Sequence, residues 1–112
     1  MSSLIATIPG AEIAKFCRRW KVQELALFGS ALRDDFGPVS DVDILVSFAE
    51  GAEWGLFEHV QMQFELQTLI GRNVDLVTRR AVERSQNWLR REDILSTAQV
   101  VYPHPEAGHA TG

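Results

Sequence analysis

The chain has 112 residues, 46% of them hydrophobic and 23% charged, a composition that suits one compact domain and excludes a disordered or collagen-like chain. Its 15 acidic and 11 basic side chains leave a formal charge of -4, which argues against direct nucleic-acid binding, because neutralising phosphates needs a basic face. One cysteine, Cys17, excludes an intramolecular disulfide, and no apolar run reaches the roughly 20 residues of a membrane-spanning helix, so a reducing, cytoplasmic setting without a membrane is expected.

In chain order, Ile13, Phe16, Cys17 and Trp20 recur at helical spacing and predict an amphipathic helix over residues 10–20, ending near Lys21, with Cys17 as buried filler. Residues 25–28 form a short apolar run stopped by Gly29, as in a buried strand that runs into a tight turn. Asp34, Asp35, Gly37, Pro38 and Ser40 predict a loop. Residues 42–48 read as a second strand. From 54 to 70 the pattern predicts a helix in which Phe57, Val60 and Phe64, flanked by Met62, Leu66, Leu69 and Ile70, form one wide apolar stripe that Gly71 can terminate. A third strand follows at 73–77. The last predicted helix, about 85–98, is capped by Ser85 and carries Trp88, Leu95 and Ala98 inward. Residues 100–102 add an edge strand or a helix end. The expected fold class is α/β (α+β), a small mixed β-sheet flanked by helices, with residues 1–102 as the domain and 103–112 as a flexible tail.

The chemistry concentrates between residues 28 and 46. Gly29 and Ser30 stand where a strand ends and a helical turn could begin, a place where outward N–H groups favour an anion, although Gly-Ser taken alone is a weak signal and more often an ordinary turn. Asp41 and Asp43, two apart at the start of a strand, project from one face with Cα atoms roughly 6.6 Å apart. Two such carboxylates either stand at a solvated strand end or share a divalent cation; their hard oxygens suit Mg²⁺. Asp75 interrupts the apolar pattern of the third strand and would complete a carboxylate triad if the two strands are adjacent and in register, the equipment of phosphoryl or nucleotidyl transfer. Arg33 either contacts phosphate or pairs with Asp34, Asp35 or Asp41. His59 reads as a polar helix-face residue, and His104 and His109 lack metal-ligand spacing. Arg79, Arg80, Arg84, Arg90 and Arg91 make the C-terminal third locally basic, as a solvated helix face or a contact surface for an acidic partner.

Gly29-Ser30, Arg33, Ser40-Asp41-Val42-Asp43 and the later Asp75 together resemble the minimal nucleotidyltransferase (MNT) domains of the DNA polymerase beta-like superfamily, over roughly residues 20–102. The resemblance implies that Gly29 and Ser30 hold the nucleotide triphosphate, that Asp41 and Asp43 ligate Mg²⁺, and that Asp75 binds a second metal and helps deprotonate the attacking hydroxyl. Asp34 stands where similar domains often carry glycine. Small MNT domains resemble the antitoxin half of HEPN–MNT toxin–antitoxin pairs. That likeness implies transfer of AMP from ATP to a tyrosine of a HEPN ribonuclease toxin, and a hetero-oligomer with it. Two alternatives remain at this level: an antitoxin that acts by binding and occlusion alone, and a nucleotidyltransferase for a small-molecule acceptor.

Overall fold

The computed structural model describes residues 8–29 and 41–103. Helix α1 (Gly10–Arg19) turns Ile13, Phe16 and Cys17 inward, with Glu12 in its first turn and Arg18 and Arg19 in its last, each sign where the helix dipole favours it. Lys21, at φ 58°, reverses the chain into β1 (Val22–Phe28), three residues longer at its start than the apolar run alone predicts, because Val22 is buried in register with Phe48. Strand β2 (Val42–Phe48) occupies the predicted residues. Next come α2 (Leu56–Ile70), β3 (Val74–Thr78), a short α3 (Arg79–Glu83), α4 (Trp88–Thr97) and the edge strand β4 (Gln99–Tyr102). Gly71, at φ 79°, ends α2 in the left-handed conformation and donates its N–H to the Gln67 carbonyl at 2.8 Å.

The sheet has the order β3-β2-β1-β4, with β1 antiparallel to both its neighbours and β2 parallel to β3. The two central strands are nearly continuous apolar runs because both faces of the sheet are covered. On one face, Leu25, Leu27, Val42, Ile44, Val46 and Leu76 pack with Ile13, Phe16 and Cys17 of α1 and Met62 and Leu66 of α2. On the other, Ala26, Phe28 and Leu45 meet Val82 of α3 and Ile94 of α4 in a smaller cluster. A T-shaped pair of Trp20 and Trp54, with ring centroids 5.2 Å apart, closes the first core at its rim, where Trp54 Nε1 donates to the Trp20 carbonyl at 2.9 Å. Trp20 Nε1 donates to Glu65, which also pairs with Arg19.

Three expectations are corrected. Phe57, Val60 and Phe64 do not face the core: all three are exposed, and α2 buries Met62 and Leu66 instead. The predicted C-terminal helix begins at Trp88 rather than at about 85, and a short helix that the pattern does not predict, α3, precedes it. Asn87 rather than Ser85 caps α4, its side chain accepting from Arg90 N at 3.2 Å, and Trp88 faces outward while Ile94 is buried. The stretch at 34–40 and most of the expected tail, 104–112, lie outside the described residues.

Candidate active site

Alternation along β2 and β3 decides where the acidic residues stand. Val42, Ile44, Val74 and Leu76 belong to the first core, so Asp43 and Asp75, at the intervening positions, project from the second face, in the same rows as Leu45 and Val77. The parallel register pairs Asp43 directly with Asp75, neighbours roughly 4.8 Å apart across the ladder. Asp41 is exposed one residue before β2, and the Val42 N–H donates to the Asn73 carbonyl at 2.8 Å, which fixes the two strand starts against each other. Adjacent strands in register, the condition on which Asp75 would join the aspartate pair, is therefore met. Among the described residues, no three His, Cys, Asp or Glu side chains are gathered tightly enough to hold a metal ion, so the triad is a relation of register rather than a closed cage.

Gly29 completes the arrangement from the other side. Phe28, its predecessor, is the antiparallel partner of Asp43, so the end of β1 lies beside the carboxylate. Gly29 has φ +64°, and a Cβ built on it would stand 2.5 Å from Asp43 Oδ2 and 3.3 Å from Asp43 Cγ. Asp43 is half-buried against bare backbone, and only glycine leaves it that space. Ser30 and Arg33 fall in the stretch 30–40, outside the described residues.

The strand that carries Asp75 lies at a sheet edge, where unpaired backbone groups would face outward. Helix α2 covers that edge with side chains spaced four residues apart. Gln67 Oε1 accepts from Val74 N at 3.1 Å, Gln63 Oε1 accepts from Leu76 N at 3.3 Å, and His59 Nε2 lies 2.9 Å from the Leu76 carbonyl, donating in the tautomer that protonates Nε2. These groups bracket Asp75 and hold its strand straight. From sequence alone His59 is a polar helix-face residue and Gln63 and Gln67 stand out in nothing, though the row 59, 63, 67 is one helical stripe.

The C-terminal arginines separate by role. Arg79 lies within 3.2 Å of Glu24 and 3.1 Å of Glu83, and Arg91 donates to the carbonyls of Glu83 and Ser85, so both serve the fold. Arg90, together with Arg91, lines a recess of about 180 Å³ with Val77, Ala81, Val82 and Ile94, next along the face from Asp75. No described helix is long and apolar enough to cross a membrane.

Residues 11–101 match the nucleotidyltransferase domain family. The chain belongs to that family. Among curated nucleotidyltransferase relatives, the protein adenylyltransferase MntA of Thermococcus cleftensis is 34% identical over 79 residues, which cover 70% of this chain and 78% of that one. Two candidate protein adenylyltransferases of Methanocaldococcus jannaschii are 39% and 34% identical, over stretches that span only 59% and 64% of their own length. A solved candidate minimal nucleotidyltransferase superposes with a TM-score of 0.65 at 30% identity, covering 88% of this chain and 94% of that one. The complex of a tri-AMPylated HEPN toxin of Shewanella oneidensis with its MNT antitoxin contains a chain of the same fold, at a TM-score of 0.55 and 20% identity over 98% of this chain and 79% of that one.

Proposed function

We propose that this chain is a Mg²⁺-dependent nucleotidyltransferase that moves AMP from ATP onto a tyrosine of a HEPN toxin and thereby silences it, acting as the antitoxin of the pair. The observation that carries the reading is the register of Asp43 with Asp75 beside the bare backbone of Gly29. Relatives named protein adenylyltransferase support the reaction type, and the tri-AMPylated HEPN toxin bound to a chain of this fold supports the partner.

The donor chemistry suits the metal, because carboxylate oxygens at neighbouring strand positions are the hard ligands Mg²⁺ takes when it is shared with phosphates, although the described carboxylates form no ready-made cluster of three. Asp41, Asp43 and Asp75 would hold it. Bound there, Mg²⁺ would neutralise charge on the phosphates and orient the leaving group. The chain's own residues do the rest. Gly29 and Ser30 cradle the triphosphate, Arg33 reaches its charge, and Asp75 takes the proton of the incoming hydroxyl. The tyrosine oxygen forms its bond to the α-phosphorus as the bond to the β-phosphate oxygen breaks, and pyrophosphate leaves. The buried thiol of Cys17 suits a reducing compartment, and we place the reaction in the cytoplasm.

The test is incubation with labelled ATP, Mg²⁺ and a HEPN toxin from the neighbouring reading frame. Label should appear on the toxin and vanish with Asp43→Ala or on chelation of the metal. Label that persists in both cases sinks the mechanism, whereas an Asp41→Ala/Asp43→Ala protein that cannot label but still protects cells from the toxin replaces it with occlusion.

A further inference from the structure

Strand β3 passes into α3 without a loop: Thr78 ends the strand and caps the helix, its Oγ1 accepting from Ala81 N at 3.1 Å. Helix α3 is thereby folded back over the face of the sheet that carries Asp43 and Asp75, where Val82 is buried in one cluster with Leu45 and with Ile94 of α4. Five residues of helix are too few to cover that face, and the recess of about 180 Å³ stays open between β3, α3 and α4. Its walls are apolar, formed by Val77, Ala81, Val82 and Ile94, and its two cations differ. Arg91 is engaged by the carbonyls of Glu83 and Ser85, which ties α4 to the end of α3. The guanidinium of Arg90 has no hydrogen-bond or ion-pair partner among the described residues.

Place, size and lining narrow the occupant. Val77 follows Asp75 by two residues on the same side of β3, so the wall of the recess begins roughly 6.6 Å along the strand from that carboxylate. Gly29 lies on the opposite side of the aspartate pair, at the end of β1 and roughly 10 Å, two strand spacings, from β3. With the triphosphate of the proposed reaction at Gly29 and Ser30, in-line displacement sends pyrophosphate out towards β1 and brings the attacking hydroxyl in from the side of β3. The recess therefore stands where the acceptor enters. Its size suits a single ring, since an apolar cavity of about 150 Å³ takes up benzene, and a nucleoside, a bicyclic base with a sugar, exceeds it.

We propose that this recess seats the ring of the acceptor tyrosine, its hydroxyl held out to Asp75 and the guanidinium of Arg90 lying over the ring. Apolar walls with one unpaired guanidinium are what a phenol ring takes, because its body is apolar and its π face attracts a cation, arginine more often than lysine. The assignment rests on the transfer to tyrosine proposed above, and it makes Arg90 a residue that selects the acceptor rather than the nucleotide.

Ala81→Leu fills the recess from an exposed position on α3, so the fold is retained, which circular dichroism checks. In steady-state transfer to the HEPN toxin of the neighbouring reading frame, it should raise KM for the toxin at least about 10-fold and leave KM for ATP within about twofold. Arg90→Ala should act in the same direction by about 5- to 10-fold, and Leu89→Asp, exposed on the side of α4 away from Ile94, should change neither constant. Titration calorimetry of the two proteins without ATP gives a readout independent of turnover. Replacing the toxin's acceptor tyrosine by alanine should weaken binding about 10-fold to the parent chain and leave binding to the Ala81→Leu chain as it is, whereas phenylalanine in its place should keep the parent affinity. A rise in KM for ATP instead gives the recess to the nucleotide and overturns the proposal; so do two unchanged KM values, or an equal cost of the tyrosine-to-alanine change in both chains. A parent chain that labels no toxin refutes the reaction, and the calorimetric cycle then decides the recess by itself.

Discussion

Gly29→Ala is the sharpest probe of the candidate site, because it adds one methyl group directly against the Asp43 carboxylate. Alanine at φ +64° pays about 1–2 kcal/mol for the left-handed conformation alone. Its Cβ would also lie 2.5 Å from Asp43 Oδ2, and real contacts of this kind begin near 3.0 Å, so the carboxylate must withdraw by at least about half an ångström. Turning Asp43 off its rotamer adds about 0.5–1.5 kcal/mol, for a total of roughly 1.5–3.5 kcal/mol.

The two contributions separate in a double-mutant cycle measured by urea denaturation. In an Asp43→Ala background the clash is gone, and Gly29→Ala should cost only its backbone share, leaving a coupling of about 1 kcal/mol between the positions. Label transfer should fall much further than stability, since displacing a reacting group by about an ångström costs on the order of 100-fold in rate. Equal costs in the two backgrounds would refute the claim that glycine is there to make room for the carboxylate.

Further outcomes follow from the same geometry. Gln63→Ala and Gln67→Ala should each cost about 1 kcal/mol and speed hydrogen exchange at Leu76 and Val74 respectively; unchanged exchange would show that these bonds do not hold the edge. Asp75→Asn, at an exposed position, should leave the melting temperature within a degree or two while transfer drops about 100-fold or more. Burial pushes the Cys17 thiol up from 9.0 to about 12, against a smaller opposing pull from Arg18. Above pH 9.0 the unfolded chain therefore loses a proton that the native state keeps, and stability falls as pH rises, by up to about 1.4 kcal/mol per unit; Cys17→Ala should remove that part of the slope, and equal slopes would contradict it. Arg79→Ala, despite two ion pairs, should change stability by no more than about 1 kcal/mol, because both are partly exposed.

The candidate carboxylates were legible because a strand has the simplest code. With a period of two, an aspartate among valines and leucines is on the wrong face for one core, and the sequence positions of Asp43 and Asp75 already imply a common face once the strands are adjacent. Adjacency itself was conditional, and it rests on backbone pairing between segments about 30 residues apart that no local pattern encodes. The mixed sheet and its flanking helices followed from the alternation of elements. Helix α3 and the start of α4 at Trp88 did not, because five residues are too few to show a helical period and Asn87 and Ser85 are both good caps.

Helix α2 was misread for a more instructive reason. Inward assignment relies on contrast between an apolar and a polar side, and α2 has apolar residues on both. What breaks the tie is the polar row His59, Gln63 and Gln67, which must face the backbone of β3 because an edge strand leaves donors and acceptors unpaired there. Once that row is set against the sheet edge, Met62 and Leu66 turn inward and Phe57 and Phe64 are forced out. The phenylalanines are exposed, then, as a consequence of holding Asp75's strand in place.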